Sequence, residues 1–159
     1  MLGFRYDEAL RAIERALSLS PNLLSVQFSA GVVKCFVGDA EPALVHFERA
    51  MRMSPLDPGM SAYVALAGGA HVMCGRYEEA LAAAERAVHD SPEFVLAHRL
   101  KVAALGLLGR LDEARVAARR LLELTPRFTV SQYRSVTPYK DAEWRRRIAE
   151  TFLAAGVPK

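Results

Sequence analysis

Four histidines, two cysteines, a Gly-Gly pair and an arginine triplet are the side chains and spacings in this chain that could do chemistry. His46, His71, His89 and His98 lack the His-x-x-x-His interval that puts two imidazoles on one helix face around zinc, so they read as surface or groove histidines. Cys35 and Cys74 sit inside apolar patterns of helical period. They could face each other, but they fit small core residues of a reducing compartment better than a disulfide framework. Gly68-Gly69 has neither the flanking glycines nor the Lys-Ser/Thr of a phosphate loop. With no nucleophile, base or metal cluster to assemble, the chain is expected to be no enzyme, with no catalytic residues, no metal site and no cofactor.

The charge is unevenly placed. Residues 110–159 hold 11 Lys+Arg against 6 Asp+Glu, whereas the first 109 hold 10 against 12. Arg145, Arg146 and Arg147 form the densest basic patch, supported by Arg119, Arg120, Arg127, Arg134 and Lys140. A triplet within one helical turn fans outward, which fits the solvated face of a helix; binding to nucleic acid or an anionic surface is the alternative reading. The first seven residues carry no signal-peptide core. The most apolar stretch, 62–74, is too short to span a bilayer. A cytoplasmic protein without membrane insertion is the expectation.

These side chains are carried by a repeated element. Tyr6-Asp7-Glu8-Ala9, Ala40-Glu41-Pro42-Ala43, Tyr77-Glu78-Glu79-Ala80 and Leu111-Asp112-Glu113-Ala114 each open a run that closes on Ser-Pro or Thr-Pro, at residues 20–21, 54–55, 91–92 and 125–126. The alanines at 9, 43, 80 and 114 are spaced by 34, 37 and 34 residues. Within 76–90, Tyr77, Ala80, Leu81, Ala84, Ala87 and Val88 recur at three and four, the stripe of an amphipathic helix. Acidic residues start it, where the helix dipole favours negative charge, and Pro92 stops it by excluding helical geometry from the residue before. A preceding helix over 61–73 ends at Gly75. Two such helices cannot bury both faces alone, so neighbours must stack on them.

The period and pattern resemble the tetratricopeptide repeat (TPR), a helix-turn-helix unit that stacks into a superhelix; the resemblance covers about residues 5–126. It implies an all-α solenoid of about three and a half units: an orphan second helix at 5–19, then repeats at about 22–55, 58–92 and 94–126. The turn glycines Gly38, Gly75 and Gly109 and the internal Gly31 and Gly68 match the pattern, while Gln27, Val64 and His98 replace its bulky aromatic. Three extra residues around 56–60 lengthen one turn, and Gly3-Phe4 adds one more at the front. Residues 127–159 leave the pattern. A short segment at 129–136 is followed by a final helix at about 142–155, with Trp144, Ile148, Phe152 and Leu153 as its stripe, expected to cap the open end. Pro138-Tyr139-Lys140-Asp141 and Leu153-Ala154-Ala155-Gly156-Val157-Pro158 look like the ending of bacterial TPR proteins whose arrays follow a nucleotide-cyclase or winged-helix domain. That resemblance implies a scaffolding or regulatory arm.

In TPR proteins the first helix of each repeat lines a concave groove. Mapped here, that face is Phe28, Val32, Phe36, Ala62, Ala65, Gly69, Met73, Leu96, Arg99 and Ala103. Only Arg99 suits a charged peptide tail, so the resemblance implies binding of an apolar helix or peptide from a protein partner. A groove filled by its own side chains or by the final helix is the alternative. The front helix has Tyr6, Leu10, Ile13 and Leu17 on a face broad enough for two neighbours, which makes a homodimer through this helix a second expectation.

Overall fold

A computed structural model describes residues 5–159, and every regular element among them is an α-helix. The Gly3-Phe4 insertion lies outside the described residues. The helices are α1 (Tyr6–Leu19), α2 (Leu24–Val37), α3 (Ala40–Met53), α4 (Met60–Met73), α5 (Tyr77–Asp90), α6 (Val95–Leu107), α7 (Leu111–Leu124), α8 (Val130–Val136) and α9 (Ala142–Ala154). The pairs α2–α3, α4–α5 and α6–α7 fall on the segments expected as repeats, and α1 spans the segment expected as an orphan second helix.

Each second helix opens on the acidic residues that mark the repeat: Asp7 and Glu8, Glu41, Glu78 and Glu79, Asp112 and Glu113. The tight turns within the pairs need a left-handed residue, and Gly38, Gly75 and Gly109 take it, at φ of 104°, 74° and 75°. Where the repeat's aromatic is replaced, a buried polar side chain ties down the proline turn instead. Gln27 Nε2 donates to the Pro21 carbonyl at 2.6 Å, and His98 Nε2 donates to the Pro92 carbonyl at 2.8 Å. Val64 cannot do this. The lengthened turn before it, 54–59, is braced by Asp57, which accepts from the Gly59 N–H at 2.7 Å. His98 is thus a buried structural residue, not a surface or groove histidine; its neighbours in the sequence gave no sign that the ring turns inward.

Small residues set how closely the helices approach. A Cβ on Gly31 would lie 2.6 Å from the Phe47 ring, and one on Gly68 would run into Leu100 and lie 3.0 Å from the Ala83 Cβ, so α2 nests on α3 and α4 on α5 and α6. Gly68 serves helix packing, as its place inside a helix implies. The largest core runs without a break past Pro126, joining Leu100, Leu105 and Leu121 of the repeats to Phe128, Tyr133, Ile148, Phe152 and Val157.

The last two helices do not continue the stack in register. α9 lies along α6, where Gly106 makes room for Thr151: a Cβ there would meet the Thr151 Cβ at 2.6 Å. The C-terminus is clipped to the start of α8 by the Val130 N–H donating to the Pro158 carbonyl at 2.8 Å. Between α8 and α9, residues 137–141 reach back to α2, where the Lys140 N–H donates to the Phe36 carbonyl at 2.7 Å. Asp141 then caps α9 by accepting from the Glu143 and Trp144 N–H groups at 2.9 and 3.1 Å.

Candidate functional site

The face shared by α2, α4 and α6 is the surface from which the fold could hold a partner. Six of the ten residues expected there, Phe36, Ala65, Gly69, Leu96, Arg99 and Ala103, line a single cavity of about 230 Å³. The other four do not reach it. Phe28 turns to Phe47 and Tyr63, with ring centroids 6.1 and 4.5 Å away. Val32 and Met73 pack into the core between α2 and α4, and Ala62 is half-buried outside the cavity.

The opposite wall is the chain's own tail. Val136, Thr137, Pro138, Tyr139, Trp144 and Ile148 close over the cavity, so the groove is occupied from within and not open. What fills it is chiefly the extended stretch before α9. Tyr139 sets its ring edge-on to Phe36 at 5.2 Å and packs against Trp144 with centroids 4.2 Å apart and the rings tilted by 47°. Its hydroxyl points to Gly69, 3.2 Å from where a Cβ would stand. Gly69 therefore makes room for the tail, and the absence of a side chain there was the one sequence signal that could have pointed to it.

Burial dominates the electrostatics of this contact. The Cys35 thiol, fully buried, is pushed up to about 12 by loss of solvent, partly offset by a hydrogen bond with Tyr139. The same loss of solvent raises the Tyr139 phenol well above its ordinary value. Cys35 donates to the Met73 sulfur at 3.7 Å, and both cysteines are free thiols. Arg99 is half-buried, its guanidinium carbon 4.4 Å from the centre of the Phe128 ring. Burial lowers its proton affinity, and no carboxylate pairs with it among the described residues. Arg99 Nε and Trp144 Nε1 are enclosed polar atoms with no hydrogen-bond partner among the described residues. Thr137 donates its hydroxyl to the Tyr133 backbone carbonyl and also pairs with the Tyr133 phenol, which burial raises above its ordinary value. Tyr133 and Pro138-Tyr139 were not foreseen as groove residues, because residues 127–141 carry no repeat period to place them; Trp144 belongs to the final helix, which the alternative reading put in the groove.

The arginine triplet is dispersed. Arg146 is held between Glu143 and Glu150, and Arg147 donates to the Tyr77 hydroxyl at 3.1 Å. Arg145 is half-buried, so the three do not present one basic line. Of the self-association residues, Ile13 is buried within the chain and Tyr6, Leu10 and Leu17 are half-buried against their own neighbours. His46 bonds to Gln27 at 2.8 Å; His71 is half-buried and His89 exposed. No group of three His, Cys, Asp or Glu is placed to hold a metal ion, and no helix is long and apolar enough to cross a membrane, among the described residues.

Three stacked helix pairs among the described residues, with turn glycines 37 and 34 residues apart, give the chain the fold of a TPR helical-hairpin solenoid. No protein-family model and no curated protein matches the sequence. Solved structures do. MamA 41-end from Desulfovibrio magneticus RS-1 is 18% identical with a TM-score of 0.66, over 94% of this chain and 83% of that one. YrrB, a TPR protein with an unusual peptide-binding site, is 24% identical with a TM-score of 0.62, over 94% and 77%. The first TPR of Spaghetti (RPAP3), bound to the HSP90 peptide SRMEEVD, is 18% identical with a TM-score of 0.61, over 82% and 93%. At these identities the likeness fixes the fold.

Proposed function

We propose that this chain is a protein-interaction module that takes an extended apolar peptide on the face of α2, α4 and α6, in competition with its own tail. The observation that carries the reading is the tail itself. Thr137-Pro138-Tyr139-Lys140 already lies on that face with one backbone hydrogen bond to Phe36 and an aromatic ring against it, which is how a peptide ligand would sit. Two TPR neighbours described as peptide-bound or peptide-binding support the same use of the fold. In its finer form, the reading makes the chain the scaffolding or regulatory arm of a bacterial signalling or transcription protein, supported by the tail sequence alone.

A tethered tail competes at an effective concentration of about millimolar, so an external peptide meets a closed groove and binds with its affinity reduced by the open fraction. A synthetic peptide spanning residues 134–145, added to the Tyr139→Ala chain, should bind by calorimetry and should bind the wild-type chain far more weakly. Adding Phe36→Asp to the opened chain should abolish binding while helicity persists. Failure of the opened chain to bind the peptide sinks the reading.

A further inference from the structure

The tail spans the groove without filling it. A space of about 230 Å³ remains between α4, α6 and the returning chain, where Ala65, Gly69 and Ala103 keep the helix floor low. Protein interiors hold few voids larger than a water molecule, because atoms lining a void forfeit their dispersion contacts. A hollow of this size calls for contents.

The wall says what those contents are. Arg99 is its one charged residue among the described residues, and its head group is turned elsewhere. The guanidinium carbon lies 4.4 Å from the centre of the Phe128 ring, which is not part of this wall. Trp144 Nε1 is enclosed by its neighbours and does not open into the space. The Tyr133 phenol pairs with Thr137, and the Tyr139 phenol pairs with Cys35. What faces the hollow is chiefly carbon, from Phe36, Leu66, Leu96, Leu100, Ile148 and Phe152. A water needs about two to four polar partners to settle in a cavity, and an ion needs a counter-charge. This wall is built for neither.

We propose that the cavity binds a small neutral apolar molecule while the tail stays closed. Its size sets the class. An apolar cavity of about 150 Å³ admits benzene, so 230 Å³ suits a single ring with a short alkyl arm, roughly ten non-hydrogen atoms at most. Val136, 52% exposed, stands at the rim and marks the way in, so neither Tyr139 nor Trp144 has to leave its place. Thr137, Pro138 and Tyr139 form part of the wall, so the ligand engages the closed tail and steadies it. The site stands without the peptide reading and is assayed on the isolated chain. Where both hold, a peptide that displaces the tail also removes this wall, and the two ligands oppose each other.

Trp144 is the sole tryptophan and lines the cavity, so its emission reports occupancy. Toluene titrated into the full chain should change that emission saturably, with a Kd below about 1 mM, and should raise the melting temperature. Benzoate and benzylamine should each bind at least about tenfold more weakly, because nothing on the wall offsets the desolvation of their charge. Ala103→Met places a flexible apolar side chain in the space and should weaken toluene binding at least about tenfold by calorimetry. If that variant fails to fold by circular dichroism, Leu96→Phe decides, since Leu96 is only half-buried; it should weaken toluene several-fold. No saturable binding of toluene, a charged probe that binds as tightly, or unchanged toluene affinity in the folded filled variant overturns the proposal.

Discussion

Two glycines on successive first helices separate the two ways the tail meets the repeats. Replacing Gly106 by alanine sets a Cβ 2.6 Å from the Thr151 Cβ and 3.4 Å from its Cα, and neither belongs to a movable side-chain tip. The helix-propensity gain of about 1 kcal/mol is then outweighed by overpacking of roughly 1–3 kcal/mol. At Gly69 the new Cβ would meet only the Tyr139 hydroxyl, at 3.2 Å, the far end of a side chain that can give way. There the propensity term, about 0.5–1 kcal/mol, is free to dominate. Gly106→Ala is expected to lower the urea midpoint and Gly69→Ala to hold or raise it while disturbing the Tyr139–Trp144 contact. The opposite order of midpoints would mean that α9 is loosely seated and the Tyr139 segment firmly seated.

At the scale of elements, the last 33 residues divide into parts with different work. Phe128, Val130 and Tyr133, with Ile148, Phe152 and Val157, complete the core over α6 and α7 and act as a cap; residues 137–144 reach across the groove and act as a plug. Ending the chain after Pro126 strips the cap, and each large side chain lost forgoes about 1.5–3 kcal/mol of burial. Such a truncated chain should aggregate or melt far earlier, whereas Tyr139→Ala should keep most of the stability. A soluble truncation with an unchanged melting temperature would show that the cap is dispensable. The repeats were legible in the sequence because their punctuation is local: acidic starts, turn glycines and Ser/Thr-Pro stops each act within a few residues. The α9 stripe was legible for the same reason. The plug was not, because the contact between Phe36 and Tyr139 joins residues with no shared period, and Pro138 signals only that a helix cannot continue. The inward turn of His98 was hidden likewise, since the carbonyl it binds is set free by the geometry of the Pro92 turn.

For the whole molecule, the plug changes a linear array into a closed one. In an open solenoid each unit contacts only its neighbours and the ends fray independently. Here residues 139–140 tie the tail to α2 and bring Lys140 Nζ within 5.9 Å of the Tyr6 ring centre on α1, so front and back are joined. The joint is held by groups that must stay neutral: the thiol of Cys35 and the phenol of Tyr139 are both raised by burial. A group whose folded value is raised supplies its stability below its unfolded value, and that stability is lost as pH climbs through the window between the two. For Cys35 the window opens near the ordinary thiol value of about 8.5 and closes at about 12; for Tyr139 it opens near 10. Each group then removes up to about 1.4 kcal/mol per pH unit. The urea midpoint should therefore be level from pH 7 to 8 and fall steadily above pH 9, with Trp144 emission, reporting the adjacent Tyr139, changing at lower urea than helicity does. Because burial also raises Cys74, Tyr63 and Tyr133, Cys35→Ala should lessen the decline between pH 9 and 10 without removing it, and Tyr139→Phe should lessen it above pH 10 while keeping the ring in place. A midpoint that falls equally in the wild-type chain and both variants would place the alkaline sensitivity elsewhere and remove this contact as the clasp between the two ends.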